Sequence, residues 1–465
     1  MASLHRSAIA YAFTTFAATF MNSIFNFYYV KIFLNVYRIS EYWFNIAQVI
    51  FLIWNAINDP LFGYLQDTCE SEIFRKRRKA VLYGAPLFAM SFLLPWFPWI
   101  QGVNGHWVTG VHLIVSLCFY DALFTYVLLA HCALSAEISP LQEDRHIVLQ
   151  YSQISSLLSP LGLFFCVLIY NNEQDNFQAF QVVCVVVAVV SWLCMSYTGV
   201  NVRVLADKQP PPKKDSSKTC DVTAFVLFKQ LVTQPNLIYF IIMNFFQVFH
   251  GTFQSNFFLI FADYLIGPDV MPSILLSILA GSSYVLPQIV VLMSGSLLSK
   301  YGSYHVIEWS FYIKFILAAV MYMAGRMHTW LLAFMFLADR TITSAASSTF
   351  NLPLSDVIDD DKITHNRGSP VSSMIFGTNA LFTKPAQSLA PMLVVYVLAR
   401  HGYKNKENTM ASRATDSYRD LQEVMFQLLC LVPMLLAVVQ IVFWRKYTLR
   451  KSRYSKAQFT EELAI

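Results

Sequence analysis

Six charged side chains fall deep inside apolar runs of this 465-residue chain: Asp59, Asp121, Lys314, Asp339, Arg340 and Lys384. At the centre of a lipid-spanning helix, an Asp, Lys or Arg costs about 2.5–3.5 kcal/mol to insert. A charge kept at that cost pairs with its opposite, meets a polar solute or handles a proton. The plain structural reading is a buried ion pair that fixes helix register. Asp339 and Arg340 are adjacent, so they leave a helix about 100° apart and need not pair with each other. Lys314 is then a candidate structural partner for one of them. Lys31, Asp263 and Glu308 lie near the ends of their runs and can snorkel.

Uncharged polar residues recur around these charges at helical spacing. Thr15, Thr19, Asn22 and Asn26 form one stripe. Gln48, Asn55 and Asp59 form another, with Asn58 beside it. Asp121, Thr125 and Cys132 line up, as do Asn244, Gln247, His250 and Gln254. Asn379, Thr383 and Gln387 flank Lys384. Any single stripe can be packing between helices. Five together point to a polar surface inside a bundle, of the kind that lines a solute path.

The elements that position these residues follow from composition. Charged residues are 13% of the chain and hydrophobic ones 56%, with a mean hydropathy of +0.48. A soluble domain carries about 25% charge. Most of the chain must therefore sit in lipid, which excludes disordered and disulfide-scaffold classes. The eight cysteines show no zinc spacing or paired framework, and there is no Asn-x-Ser/Thr sequon. A bilayer core of roughly 30 Å needs roughly 20 apolar residues per helix. Twelve runs qualify: 7–33, 42–65, 80–99, 107–134, 148–171, 178–200, 236–263, 272–297, 304–324, 329–352, 371–398 and 421–444. The first is too long for a signal peptide and reads as a retained helix.

An even number of spans puts both termini on one side. Arg6, the run Arg75-Lys-Arg-Arg-Lys79, Arg145, the basic residues of 201–235, Lys300, Lys362, Arg367 and the basic tail share that side. The opposite loops carry Arg38, Arg326 and the basic residues of 399–420. The inner excess places the termini in the cytosol. The net charge of +5 is thus topogenic and no mark of nucleic-acid binding. Segment 201–235 contains Pro210–Pro212 among lysines and reads as a linker. Its end, Thr223–Thr233, is apolar enough to lie on the membrane surface. The chain divides into six helices over 1–200, the linker 201–235, six helices over 236–445, and a tail at 446–465.

The halves echo each other. Gly63-x-x-x-Asp67 and the basic run follow the second span, and Gly295-x-x-x-Ser299-Lys300-x-Gly302 follows the eighth. At equivalent positions these resemble the major facilitator superfamily, which implies an all-α membrane fold of two six-helix bundles. The resemblance implies that spans 1, 4, 7 and 10 line a central cavity. It makes Thr15, Thr19, Asn22, Asn26, Asp121, Thr125, Asn244, Gln247, His250 and Gln254 the candidate solute contacts. It makes Gly63, Asp67, Arg75, Arg77 and Arg78 the candidate inner gate.

Asn55-Ala-Ile-Asn58-Asp59-Pro60-Leu-Phe-Gly63 resembles the span-2 signature of the glycoside–pentoside–hexuronide:cation symporters. Leu352-Pro-Leu-Ser-Asp356-Val-Ile-Asp359-Asp-Asp-Lys362 resembles their motif entering the loop after span 10. Ser135–Arg145 is similar to their connection after span 4, and Lys384 stands where they have a lysine on span 11. Phe51–Gly63 and Gln247–Phe258 further resemble a vertebrate branch of the superfamily. The resemblance implies a coupling set of Asn55, Asn58, Asp59 and Lys384, in which Lys384 neutralises Asp59 in place of a cation. The chain departs from the symporters at Asn55, Leu128 and Phe16, where they carry carboxylates.

The expected activity is alternating-access transport of a small solute, carbohydrate or other organic molecule, across the plasma membrane. The expected state is a lipid-embedded monomer without cofactor, metal or nucleic acid. Relatives that carry lysolipids imply one alternative, and a non-transporting receptor is another. No nucleophile–base pair or phosphate loop suggests an enzyme. If Asp59 and Lys384 compensate each other, Asp59→Asn and Lys384→Ala should each lower the yield of folded protein. The double variant should recover it, as read by fluorescence size-exclusion chromatography; equal loss in all three contradicts the pair.

Overall fold

The computed structural model describes residues 2–68, 71, 73, 76–100, 105–138, 148, 151–152, 154–169, 176–202, 229–267, 271–365, 372–403 and 416–449. Almost all of them are helical. In chain order the long helices are α1 (Ala2–Asn35), α2 (Glu41–Thr68), α3 (Arg77–Leu93), α4 (Trp107–Ile138), α5 (Pro160–Ile169) and α6 (Phe177–Asn201). They continue as α7 (Pro235–Phe261), α8 (Ser273–Met293), α9 (Gly295–Ala324), α10 (Thr329–Thr349), α11 (Asn351–Thr364), α12 (Ser372–Thr383), α13 (Pro385–Arg400) and α14 (Asp416–Lys446). Among the described residues, eight helical stretches are long and apolar enough to cross a membrane. The other four expected spans coincide with α2, α5 with the turn before it, α7 and α10. Helix is the form lipid permits, because it satisfies every backbone N–H and C=O internally.

The helices turn apolar faces outward. On α2, Ile50, Ile53, Ile57 and Leu61 are exposed while Gln48, Asn55 and Asn58 are buried. On α6, Val182, Val186, Leu193 and Val200 are exposed while Cys184, Ser191 and Thr198 are buried. A lipid-facing helix shows this reversed two-sidedness.

Several ends differ from the apolar runs, each for a local reason. The third run stops at Leu93 because Pro95 turns the chain into a short 3-10 helix, Leu94–Trp96. The seventh continues as one wide π turn, Ala262–Ile266, and ends at Gly267 with φ 76°. The ninth kinks at Gly302, whose φ is 78°. The eleventh breaks at Lys384, because Pro385 has no N–H to continue the ladder. The stretch Leu352–Lys362, expected at a loop entry, is the helix α11. The linker 203–228, Arg75, residues 404–415 and the tail 450–465 lie outside the described residues.

The chain forms two compact units. The first takes Met1–Lys218, Thr252–Val285 and Ser388–Met425. In it α3 packs on α4 and α6, α1 on α5 and α6, and α2 on α4. Thr14 donates to Thr198 at 2.8 Å, stitching α1 to α6. The second takes Thr219–Gly251, Leu286–Gln387 and Phe426–Ile465. Its core gathers Phe240, Tyr304, Phe311, Phe350 and Trp444, with Trp444 stacked between Tyr304 and Tyr447.

α6 approaches α3 through a missing side chain. A Cβ on Gly199 would lie 2.6 Å from Leu82 Cβ and 3.0 Å from its Cα. Backbone cannot yield as a flexible side chain does. Gly199→Ala should therefore cost about 1–3 kcal/mol, read as a lower Tm of the purified protein; an unchanged Tm contradicts the contact.

Candidate functional site

In the first unit, the polar faces of α2 and α4 meet at mid-helix. Asn58 is wholly buried. Its Nδ2 donates to Asp121 Oδ2 at 2.7 Å, to the Asp121 carbonyl at 3.1 Å and to Thr125 Oγ1 at 2.9 Å. Thr125 in turn donates to Asp59 Oδ1 at 3.2 Å. Two carboxylates thus hang on one amide and one hydroxyl, and both are half-buried. From sequence, Asp59 stood in the coupling set and Asp121 among the solute contacts; the structure joins both in one knot. Asn58 Oδ1 is buried and meets no donor among the described residues, so the knot has a spare oxygen beside its two carboxylates.

The first-span stripe divides by chemistry. Thr19 donates to the Thr15 carbonyl, and Thr15 bonds His131 at 3.1 Å and Ser152 at 3.2 Å. The Thr15 hydroxyl is thus committed to neighbouring segments and that of Thr19 to its own helix. Asn22 and Asn26 are half-buried and make no side-chain hydrogen bond among the described residues. They keep four donor and acceptor sites each for something else, by the usual amide inventory of roughly two N–H and two lone pairs. Asn55 is buried on the α2 face that carries Asn58. Cys132 is exposed and takes no part in the knot.

In the second unit the α7 stripe turns into its own helices. Asn244 donates to Asn379 of α12 at 3.1 Å. Gln247 Nε2 donates to the Thr343 carbonyl at 2.7 Å, and its Oε1 accepts from Gln440 of α14 at 2.8 Å. His250 faces Asp339 at 3.1 Å and Thr343 at 3.2 Å. Lys314 does not pair with the carboxylate: its Nζ lies 2.6 Å from Gln440 Oε1 and 3.4 Å from Gln247 Oε1. Arg340 donates to the Gly251 carbonyl at 3.0 Å. Gln254 is buried and belongs to the first unit, and Lys384 to the second.

Two charges discounted as snorkelling are paired instead. Lys31 is buried and sits 2.7 Å from Asp263, on the π turn after α7. Around this pair in the first unit, Asn256 donates to Tyr29 at 3.1 Å and Tyr403 donates to Asn35 at 2.8 Å. Beyond the spans, burial holds the phenols of Tyr403 and Tyr447 above the ordinary tyrosine range, so both remain donors. Of the gate candidates, Arg77 and Arg78 open α3, half-buried. Gly63 and Asp67 lie on the last turns of α2, and their side chains, like Arg75, lie outside the described residues.

Reading the sequence missed Gln440, Thr343 and Asn256. Gln440 had a signal: it is the one amide or charged side chain in the apolar stretch 428–444.

Comparison with known proteins agrees with this architecture. A family model described as MFS/sugar transport protein matches residues 10–451. The chain is 29% identical over 484 residues to "Transmembrane protein 180" of Gallus gallus, covering 96% of this chain and 93% of that one. It is 27% identical over 120 residues to "Sodium-dependent lysophosphatidylcholine symporter 1" of Xenopus tropicalis, covering 25% and 22%. Among solved structures, a mutant of the nucleoside transporter NupG aligns with a TM-score of 0.64 at 12% identity, covering 95% of this chain and 99% of that one.

The α2–α4 knot can be tested by adding charge. Asn58→Asp places a third carboxylate beside Asp59 and Asp121 and removes the donor that joins them. Its Tm should fall below wild type at about pH 8, and the gap should close as pH drops into the carboxylate range. Equal Tm at both ends of that range contradicts the placement.

Proposed function

The chain belongs to the MFS/sugar transport protein family, and on that premise we propose a solute carrier for a small polar organic molecule, working by alternating access. The two sextets, 1–200 and 236–445, are the repeats on which this cycle runs. The observation that carries the reading is on α1: Asn22 and Asn26 stand at mid-span with unspent hydrogen-bonding capacity. In lipid, unspent amides are costly. Facing water and a solute, they supply recognition through hydrogen bonds to hydroxyl or carbonyl groups. Asp59 and Asp121, held by Asn58 and Thr125, place negative charge on the neighbouring helices.

The solute class is carbohydrate-like or another neutral polar molecule. A second reading is a lysophospholipid, supported by the quarter-length likeness to the frog symporter. We propose a monomer in the plasma membrane, and place both termini in the cytosol on the distribution of basic loops.

The test is an uptake screen in proteoliposomes. Sugars, nucleosides and lysophosphatidylcholine are presented with and without sodium and with a pH gradient. The reading expects saturable uptake of a polar solute, reduced at least tenfold in Asn22→Ala and Asn26→Ala, which corresponds to roughly 1.4 kcal/mol or more. Uptake of lysophosphatidylcholine alone selects the second reading. Binding without uptake across the whole set marks a receptor and overturns the carrier.

A further inference from the structure

Four helices of the second unit bury a lysine on two amide oxygens. Lys314 of α9 is 2% exposed, and among the described residues it makes no ion pair. Its Nζ rests on Gln440 Oε1 at 2.6 Å and Gln247 Oε1 at 3.4 Å, and lies 5.3 Å from the centre of the Phe311 ring. Both glutamines are themselves buried and locked: Gln440 Nε2 bonds Gln247 Oε1 and the Met243 carbonyl, and Gln247 Nε2 bonds the Thr343 carbonyl.

Among the described residues, the other titratable and charged groups facing this cluster are few. From α7 comes His250, from α10 come Asp339 and Arg340, and α14 contributes the neutral Gln440. On α9 itself, Glu308 lies farther along and meets Arg445 at 3.7 Å. A guanidinium keeps its proton in proteins. Counted as net charge, Arg340 balances Asp339, whose Oδ2 lies 3.1 Å from His250 Nε2. A protonated Lys314 adds one positive charge that no ion pair among the described residues offsets. A surplus charge away from water costs several kcal/mol. Donor counting agrees: two amide oxygens receive Nζ, and a neutral amine has two N–H bonds to give while an ammonium has three. Loss of the proton leaves both glutamine bonds intact.

We propose that Lys314, seated on Gln247 and Gln440 beside the His250–Asp339 pair, is a proton-exchange site of this carrier. The reaction is the breaking of one Nζ–H bond: the electron pair stays on nitrogen and the proton passes to water admitted when the helices part. Rebinding a proton from the other side completes a cycle. The site lies on different helices from the Asp59–Asp121 knot and does not use it. Its role in a transport cycle rests on the carrier reading above; the exchange itself does not.

The decisive measurement is thermal unfolding of the full-length protein in nanodiscs across roughly pH 6 to 9.5. A group that holds fewer protons folded than unfolded makes stability rise with pH. Wild type should therefore show a Tm that climbs over this window, and Lys314→Met should flatten the climb. Lys314→Arg cannot shed its proton, so it should also lose the climb and melt well below Lys314→Met. If Lys314→Met does not fold, Lys314→Gln replaces it. His250→Gln should retain the alkaline part of the climb. An identical slope in wild type and the Met variant, or an Arg variant that matches wild type throughout, overturns the proposal in favour of a permanently charged structural lysine.

A second arm uses whichever solute the uptake screen identifies. An inward proton gradient should accelerate wild-type uptake and leave Lys314→Met uptake unchanged; acceleration of both overturns the coupling role. If the screen finds no transported solute, the carrier reading fails, while the melting curves still decide whether Lys314 exchanges its proton.

Discussion

The bilayer offers no water to a buried polar group, and the organisation of this chain follows from that constraint. Each amide, hydroxyl or charge inside the spans must find a partner on another helix, turn toward an aqueous surface, or give up its charge. The structure shows the first of these answers on several helices. Thr14 and Thr198 hold α1 against α6. Asn58 and Thr125 gather two carboxylates between α2 and α4. Lys314 settles on two glutamines among α7, α9 and α14. Lys31 meets Asp263 where the π turn widens α7.

Sorting polar residues by whether their bonding is spent separates architecture from function. The stripes on α1 and α7 look alike as patterns, yet they do different things. Thr15 and Thr19 are committed to neighbours or to their own helix, and Gln247 and His250 are packed inside their unit. Asn22 and Asn26 keep their capacity. Membership of the MFS/sugar transport protein family gives this sorting its meaning, because carriers of that fold place polar groups at mid-bilayer depth to meet a solute.

Much of the fold was legible in the residues. Length and hydropathy marked the spans, since lipid thickness sets a minimum run. Helical spacing brought Asn58, Asp59, Asp121 and Thr125 to attention, and they do converge. What escaped reading was choice of partner. Asp339 had Arg340 beside it and Lys314 as a candidate, yet it takes His250. Lys314 takes Gln440, more than a hundred residues away and hidden in an apolar run. Pairing across helices depends on rotation and depth, which one-dimensional periodicity does not encode. Helix ends escaped for a different reason: Pro95, Gly302 and Pro385 act through backbone geometry within runs whose hydropathy is continuous.

The central claim is that α1 presents a wetted polar face at mid-span while the α7–α9–α14 cluster meets water only when its helices part. Single cysteines at Asn22, Asn26 and Gln247, in a chain whose eight native cysteines are replaced, can be challenged in membranes with a charged, water-soluble thiol reagent. The account predicts fast modification at positions 22 and 26 and slow modification at 247. Protection at 22 and 26, at the level of a lipid-facing control such as Ile53→Cys, would contradict it.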